Sequence, residues 1–320
     1  MKRGSILFAF LFFLLVGSGW AQYPTKPIQI IVPFPPGGGA DVTARLVTDK
    51  VSAFLGQPVM VVNKSGGGGV IGTYSVKAAP ADGYTILQIP SPFLMAPLVT
   101  KGVAYSPTED FIPISMAAHA PVVLAVKKEA RWQKLEELIA EAKKNPGKIT
   151  CGITGYGAGT HFTAEMFKMQ TGTEVNLIPL DGTAGTVSGI LGGHVDFTPP
   201  EVAGVVYNQL IAGSMRSLAV LSEKRHIDFP NVPTTVEIGY PQMLKISWHG
   251  FVVRAGTPRN IVEKLEQAFQ EALKDKEIIG MFEKNGMVVD NLGTQGTIKL
   301  LADEYKRWSE IAKAAKIVPK

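Results

Sequence analysis

Residues 28–45 read IQIIVPFPPGGGADVTAR, and this stretch decides the fold. Four of its first five residues are Ile or Val, a run typical of a strand buried on both faces of a mainly parallel sheet. The prolines that follow end strand pairing, and Gly37, Gly38 and Gly39 allow backbone angles that side chains disfavour. Asp41 stands at the expected helix N-cap, with apolar residues behind it at helical spacing. The stretch is predicted to be a strand, a glycine loop and a helix N-terminus that attracts an anion.

Glycine loops of several kinds occur between a strand and a helix. A phosphate loop requires Lys followed by Ser or Thr after the last glycine, but Ala40 and Asp41 stand there. A dinucleotide-binding loop requires a different glycine spacing. A tight structural turn and a site for a small anion therefore remain. Of the anions, we favour a carboxylate held by backbone N–H groups.

The same stretch carries a family resemblance. The order V-P-F-x-x-G-G-x-x-D-x-x-A-R is formed by Val32, Pro33, Phe34, Gly37, Gly38, Asp41, Ala44 and Arg45. It resembles the substrate-binding proteins of tripartite tricarboxylate transporters, of the Bug/TctC type, and the similarity runs from Tyr23 and Pro24 nearly to the C-terminus. This resemblance implies a protein that captures a small organic carboxylate and delivers it to the membrane permease subunits of such a transporter.

The first 21 residues have the pattern of an export signal. Lys2 and Arg3 precede an apolar run over residues 6–16, and small residues stand at positions 19 and 21. The run is too short for a permanent membrane span, and no cysteine is present for a lipid anchor. We expect cleavage after Ala21 and a periplasmic mature protein.

Composition indicates an ordinary globular protein. Of 320 residues, 46% are hydrophobic and 18% charged, which suffices for more than one core. The net charge of +5 falls to +3 without Lys2 and Arg3, because no acidic residue is lost with them. No basic run with interleaved aromatic residues is present, which disfavours nucleic acid as a partner. The single cysteine, Cys151, has no intramolecular partner and is predicted to be an inert thiol in a buried strand.

Strand and helix signals alternate along the chain, which predicts an α/β fold. With the resemblance, they predict a two-domain fold like that of periplasmic binding proteins, with a ligand cleft between the domains. Domain 1 is expected to combine residues 22–122 and 248–320, and domain 2 to span residues 123–247. Hinge closure around the ligand would be the mechanism.

A second glycine loop, GYGAGTH at residues 155–161, follows the strand of Cys151 and opens another helix. Gly157 and Gly159 repeat the chemistry of the first loop. Thr160 supplies a hydroxyl where the resembling family usually has Ser. His161 is either a ligand contact or a packed side chain, and no second residue at a suitable spacing supports a metal site.

Two helix N-termini that face one cleft would clamp a carboxylate from both sides. We expect it to be held by the amides of Gly37, Gly38 and Gly159 and by the hydroxyl of Thr160. No metal or cofactor is expected.

Two acidic residues depart from the family pattern. Leu180 and Asp181 stand where many relatives have an aromatic and a basic residue, and Glu201 ends an unusual TPPE segment. If both acids line the cleft, they would pair with a ligand amino group or repel a tricarboxylate. Together with Phe34 and Ser91, they are expected to select the rest of the ligand.

Other function classes remain open. A sensor could use the same ligand-binding body to signal to a receptor, because fold does not separate transport from sensing. A hydrolase would need a nucleophile elbow, and G-x-S-x-G is absent from the sequence. We expect a monomeric binding protein without enzymatic activity.

Overall fold

Residues 23–314 are described by the computed structural model, and they form two β-sheets flanked by helices. The predicted signal at residues 1–21 lies outside the described residues. The strands are β1 (Ile28–Val32), β2 (Val59–Asn63), β3 (Thr85–Pro90), β4 (Phe111–Pro121), β5 (Val123–Lys127), β6 (Thr150–Ile153), β7 (Asn176–Pro179), β8 (Phe197–Thr198), β9 (Met215–Val220), β10 (Ile246–Arg254) and β11 (Val288–Leu292).

The helices cover the faces of both sheets. They are α1 (Gly39–Leu55), α2 (Val70–Lys77), α3 (Pro92–Val99), α4 (Leu135–Lys144), α5 (Gly159–Thr171), α6 (Gly182–Leu191), α7 (Val205–Ile211), α8 (Arg259–Lys274), α9 (Lys276–Glu283) and α10 (Thr294–Ala314), with a short 3-10 turn at Gly67–Gly69. Within the described residues, no helix has both the length and the apolar character needed to cross a membrane.

The first sheet has the strand order β11-β4-β10-β3-β1-β2. The strand predicted at the start of the chain, β1, lies parallel between β2 and β3, while β10 runs antiparallel to β3 and β4. The carboxyl ends of β1 and β3 therefore meet at one edge of the sheet, where α1 and α3 begin.

The second sheet has the order β7-β6-β8-β5-β9. Its β6 pairs in parallel with β7 and β8, while β5 is antiparallel to β8 and β9. Helices α5 and α6 follow β6 and β7, so their N-termini lie at the carboxyl end of this sheet. In each sheet, helices therefore begin at the edge formed by the carboxyl ends of the parallel strands.

Each sheet has its own apolar core. In the first, the fully buried Ile30 packs with Val47 of α1 and Phe269 of α8. In the second, Cys151 packs with Phe167 and other buried side chains. Each such side chain contributes about 1.5–3 kcal/mol through burial. Burial also raises the pKa of the Cys151 thiol, as expected for an inert cysteine.

The long strand β4 contains Pro113, which cannot donate to a sheet ladder. In the structure, a register shift in the β4–β10 pairing accommodates this proline, since Phe251 pairs with Ser115 and the next residue, Val252, pairs with Pro113. From β4, the chain passes directly through Val122 into β5 of the other sheet. It returns between β9 and β10.

Candidate ligand-binding cleft

A cavity of about 70 Å³ lies between the two sheets. Because about 10–15 Å³ of such space accommodates one water molecule, it has room for several water-sized groups. Its wall is formed by Phe34, Pro35, Gly38, Gly39, Ala40, Pro90, Pro92, Val122, Thr154, Gly159, Thr160, Thr163, Gly182, Thr183, Pro199, Pro200, Glu201, Lys245 and Ser247.

Helix N-termini from both sheets converge on this cavity. The first residues of α1 and α3 contribute Gly39 and Pro92, and those of α5 and α6 contribute Gly159 and Gly182. The first N–H groups of a helix have no acceptor within it, and the helix dipole makes this end positive. The arrangement therefore favours a negatively charged ligand.

The loops around the cavity touch one another across the gap between the sheets. A Cβ atom on Gly38 would lie 2.8 Å from Thr183 Oγ1, and one on Gly182 would lie 2.9 Å from Pro35 Cγ. On the other side, a Cβ on Gly68 would lie 2.8 Å from the carbonyl oxygen of Tyr156. Glycine at these positions thus permits the loops of the two sheets to approach each other closely.

Asp41 organises the first glycine loop from inside the helix. The N-cap of α1 is Gly38, so the prediction of Asp41 as the cap is wrong. Its carboxylate turns back to accept from the Gly37 N–H at 3.1 Å, and also accepts from Arg45 Nε at 3.0 Å and Asn63 Nδ2 at 2.9 Å. Burial alone would raise the pKa of Asp41, but these hydrogen bonds outweigh it and lower the pKa.

Glu201 places a carboxylate of the protein itself at the N-terminus of α1. Its Oε1 accepts from the Gly39 N–H at 3.0 Å, and its Oε2 lies 3.0 Å from Nε2 of the fully buried His249. Burial would raise the pKa of Glu201, but the attraction of His249 and hydrogen bonds from His249, Ser247 and Gly39 lower it to about 2. The Glu201 carboxylate lines the cavity and is already bonded on both oxygens.

The second glycine loop carries hydroxyl groups at the cavity wall. Thr160 Oγ1 accepts from the Thr154 N–H at 2.7 Å and lies 2.9 Å from Thr154 Oγ1. Behind the wall, His161 Nδ1 accepts from the Gly157 N–H at 3.2 Å. The hydroxyls therefore border the cavity, while the imidazole supports the loop.

The structure brings only part of the predicted site to the cavity wall. Residues at the wall are Phe34, Gly38, Gly159, Thr160 and Glu201; residues outside it are Gly37, Asp41, Ser91, Gly157, His161 and Asp181. Ser91 is buried, and its Oγ accepts from the Trp248 N–H at 3.0 Å. Asp181 is exposed immediately before α6.

Several residues of the cavity wall are not predicted from the sequence. Gly182 and Thr183 begin α6 after a strand and an Asp, which repeats in weaker form the strand–glycine–helix pattern of the two recognised loops. Lys245 has no local signal, because it lies between β9 and β10 in a segment without a motif. Within residues 23–314, the structure contains no cluster of three or more His, Cys, Asp or Glu side chains that could hold a metal ion.

This fold and cleft define a solute-binding protein, and comparison with known proteins identifies its family. Residues 43–317 match the family model described as "Tripartite tricarboxylate transporter family receptor", and the chain belongs to this receptor family. The chain is 36% identical over 293 residues to protein BugT of Bordetella pertussis. The aligned region covers 91% of this chain and 90% of that protein.

Solved structures show the same architecture. The periplasmic binding protein BugD superposes with a TM-score of 0.89 at 31% identity, covering 93% of this chain and all (100%) of that one. The structure of Rpa4515 from R. palustris with adipate superposes with a TM-score of 0.88 at 29% identity, again covering 93% and 100%. The predicted two-domain α/β fold of periplasmic binding proteins is thus confirmed.

Proposed function

We propose that this chain holds a small organic carboxylate in the cleft and delivers it to the membrane permease subunits of a tripartite transporter. The mature protein would begin after Ala21, act in the periplasm as a monomer, and lack enzymatic activity. Domain 1 would comprise residues 22–122 and 248–320 and domain 2 residues 123–247, a division close to the membership of the two sheets, with β10 of the first sheet beginning at Ile246. Opening and closing of these domains would release and capture the ligand.

The observation that carries this proposal is the convergence of helix N-termini on a cavity without a free negative charge. Among the described residues of the wall, Glu201 is the only acidic side chain, and it is bonded to Gly39 and His249. A carboxylate ligand therefore meets positive helix ends and no unpaired acid. The relative solved with adipate supports the same chemical class of ligand.

The geometry also favours one side of the cleft for the ligand carboxylate. Glu201 already occupies the Gly39 amide of α1, so the expected symmetric clamp is replaced by an unequal one. We place the ligand carboxylate at the N-terminus of α5, within reach of the first amide, that of Gly159, and of the hydroxyls of Thr154 and Thr160. Asp41 and His161 support the loops and do not touch the ligand.

A single pair of variants at Gly159 tests this placement. Proline is tolerated at the first position of a helix but has no N–H, and the preceding Ala158 has the extended backbone that proline favours. Gly159→Pro thus removes one ligand donor, while Gly159→Ala keeps it and meets only an ordinary 3.5 Å contact with Pro92.

The measurement is a thermal-shift and calorimetric screen of the mature protein against mono-, di- and tricarboxylates, amino acids and aromatic acids. A ligand at a hundred times its Kd stabilises the folded state by about 2.7 kcal/mol. We expect one acid class to bind wild type and Gly159→Ala, and to bind Gly159→Pro at least about tenfold more weakly, the loss of one charge-assisted hydrogen bond. If no carboxylate binds wild type, the proposed ligand class is wrong. If both variants bind the acid equally well, the ligand carboxylate does not lie at the N-terminus of α5.

A further inference from the structure

Lys245 is a buried cation in the wall of the cleft. Its backbone N–H donates to the carbonyl of Leu221 at 2.8 Å, which holds the segment between β9 and β10 against the second sheet. The residue is only 3% exposed. It borders the ligand cavity on one side and a second, open cavity of about 750 Å³ on the other.

The ammonium group of Lys245 has no hydrogen-bond partner among residues 23–314. Its Nζ lies 4.8 Å from the ring centroid of Trp308, a cation–π contact that compensates burial only in part. Burial lowers the pKa of Lys245 to about 8. The negative charges of Glu304 and Glu201 oppose this change, and the positive charge of Arg307 adds to it. At neutral pH the group is therefore mostly charged, and a buried charge without a partner is unfavourable.

The two cavities differ in the negative charge that they offer to Lys245. The second cavity is already bordered by acidic side chains, those of Glu223, Asp290 and Glu304. In the ligand cavity, the acidic residue of the described wall is Glu201, whose oxygens are taken by Gly39 and His249. Trp308, on which the Lys245 ammonium packs, borders the second cavity. On the ligand side, among the described wall residues, a free negative charge can come only from a bound ligand.

We propose that Lys245 binds a second acidic group of the ligand, so that the cleft selects dicarboxylates over monocarboxylates and amino acids. The proposal rests on the proposed function, since it assumes that a first carboxylate lies at the N-terminus of α5. A monocarboxylate would leave the ammonium unpaired, and an amino group would meet no free acid among the described wall residues. The second carboxylate supplies the charge-assisted hydrogen bonds that Lys245 otherwise lacks.

The test compares diacids with their monoamides, which have nearly the same length and shape but one charge fewer. Adipate with adipic acid monoamide, and succinate with succinamate, are titrated calorimetrically into the mature protein. For the diacid that binds, we expect a wild-type preference of at least about tenfold over its monoamide. Lys245→Met should weaken diacid binding about 10- to 100-fold, as expected for a hydrogen bond to a charged group, and change monoamide binding by less than about threefold.

Lys224→Met is the matched control. It removes the same charge from an exposed residue that borders the second cavity and not the cleft, so we expect it to leave both affinities unchanged. Lys245→Gln repeats the test with a polar side chain in case the methionine variant folds poorly.

An unchanged diacid-to-monoamide ratio in a folded Lys245 variant would overturn the proposal and leave the proposed function intact. Equal losses in Lys224→Met and Lys245→Met would also overturn it, because they would place the bound anion in the second cavity. If neither diacids, monoamides nor any other carboxylate binds wild type, the proposed function itself has failed.

Discussion

The loops that precede α1 and α5 share a backbone conformation and differ in charge. Gly37 and Gly157 have φ values of +93° and +81°, in the left-handed region that favours glycine. The next residue is an extended N-cap in each loop. A side chain four residues on, Asp41 or His161, then accepts the N–H of Gly37 or Gly157. The same turn is thus built twice.

The difference between the loops lies in what their helices face. Around α1 stand two carboxylates of the protein, Asp41 on the loop and Glu201 on the Gly39 amide. Around α5 stand the His161 imidazole, whose Nε2 lies 3.9 Å from a Glu165 oxygen, and the hydroxyls of Thr154 and Thr160. The first amide of α1 is thus bonded to a carboxylate of the protein, and under the proposed placement the N-terminus of α5 receives the ligand carboxylate.

The largest expected change in the free energy of unfolding comes from removing the side-chain acceptor that supports each turn. Asp41→Ala removes an acceptor shared by Gly37, Asn63 and Arg45, and we expect it to lower the free energy of unfolding by about 3 kcal/mol, at the low end for a buried charge network because Arg45 is half exposed. His161→Ala removes the acceptor of the Gly157 N–H and should cost about 1 kcal/mol. Urea denaturation measures both. Equal losses, or a larger loss for His161→Ala, would contradict the electrostatic difference between the loops.

The Glu201 carboxylate at α1 should make the free energy of unfolding depend on pH. The folded-state pKa of Glu201 is about 2, below the ordinary value of about 4.3 for an unfolded chain. Its contribution is therefore fully present above about pH 4.3 and is lost as the pH falls toward 2. We expect wild type to lose about 2 kcal/mol more than Glu201→Gln between pH 6 and pH 3.

The difference between the two proteins isolates Glu201, because other carboxylates with lowered pKa values, such as Asp41, titrate in both. Urea midpoints at several pH values provide the measurement. A wild-type advantage that is the same at pH 6 and pH 3 would show that the Glu201 charge contributes no folding free energy.

Local patterns in the sequence predict much of this fold. Both glycine loops, the strands before them and the helices behind them follow from short runs of apolar residues, Pro and Gly, which act over a few residues. The prediction of a packed thiol at Cys151 rests on the same kind of signal. Strand β4 is harder to predict, because the effect of Pro113 depends on a register shift in a partner strand more than 130 positions away.

The site is less predictable because its contacts are distant in sequence. Glu201 bonds an amide 162 positions earlier, and its other partner, His249, lies on a strand of the first sheet. Lys245 becomes a site residue only because β9 and β10 belong to different sheets and the chain between them passes the cleft. Neither contact leaves a periodic pattern or a motif, so no local analysis of the sequence can find it.

The smallest expected change in the free energy of unfolding comes from adding a methyl group at the first residue of α1 or of α5. On Gly39, a Cβ would lie 2.5 Å from Glu201 Oε1 and 2.9 Å from His249 Nε2, and these two side chains are held together by the contact between Glu201 Oε2 and His249 Nε2. On Gly159, the nearest atom is Pro92 Cγ at 3.5 Å, an ordinary contact. Gly39→Ala should therefore lower the free energy of unfolding by about 1.5 kcal/mol. Gly159→Ala should change it by less than about 0.5 kcal/mol.

Both substitutions change glycine to alanine at the same helix position, so differences in helix propensity cancel and the result reports what lies against each helix end. Urea midpoints compare their stabilities. If Glu201 were free to leave α1 and face a ligand, the added methyl group would displace it at little cost and the two variants would be equally stable. A clear difference would instead place the Glu201 carboxylate firmly at α1, which leaves α5 as the end that a ligand carboxylate can reach.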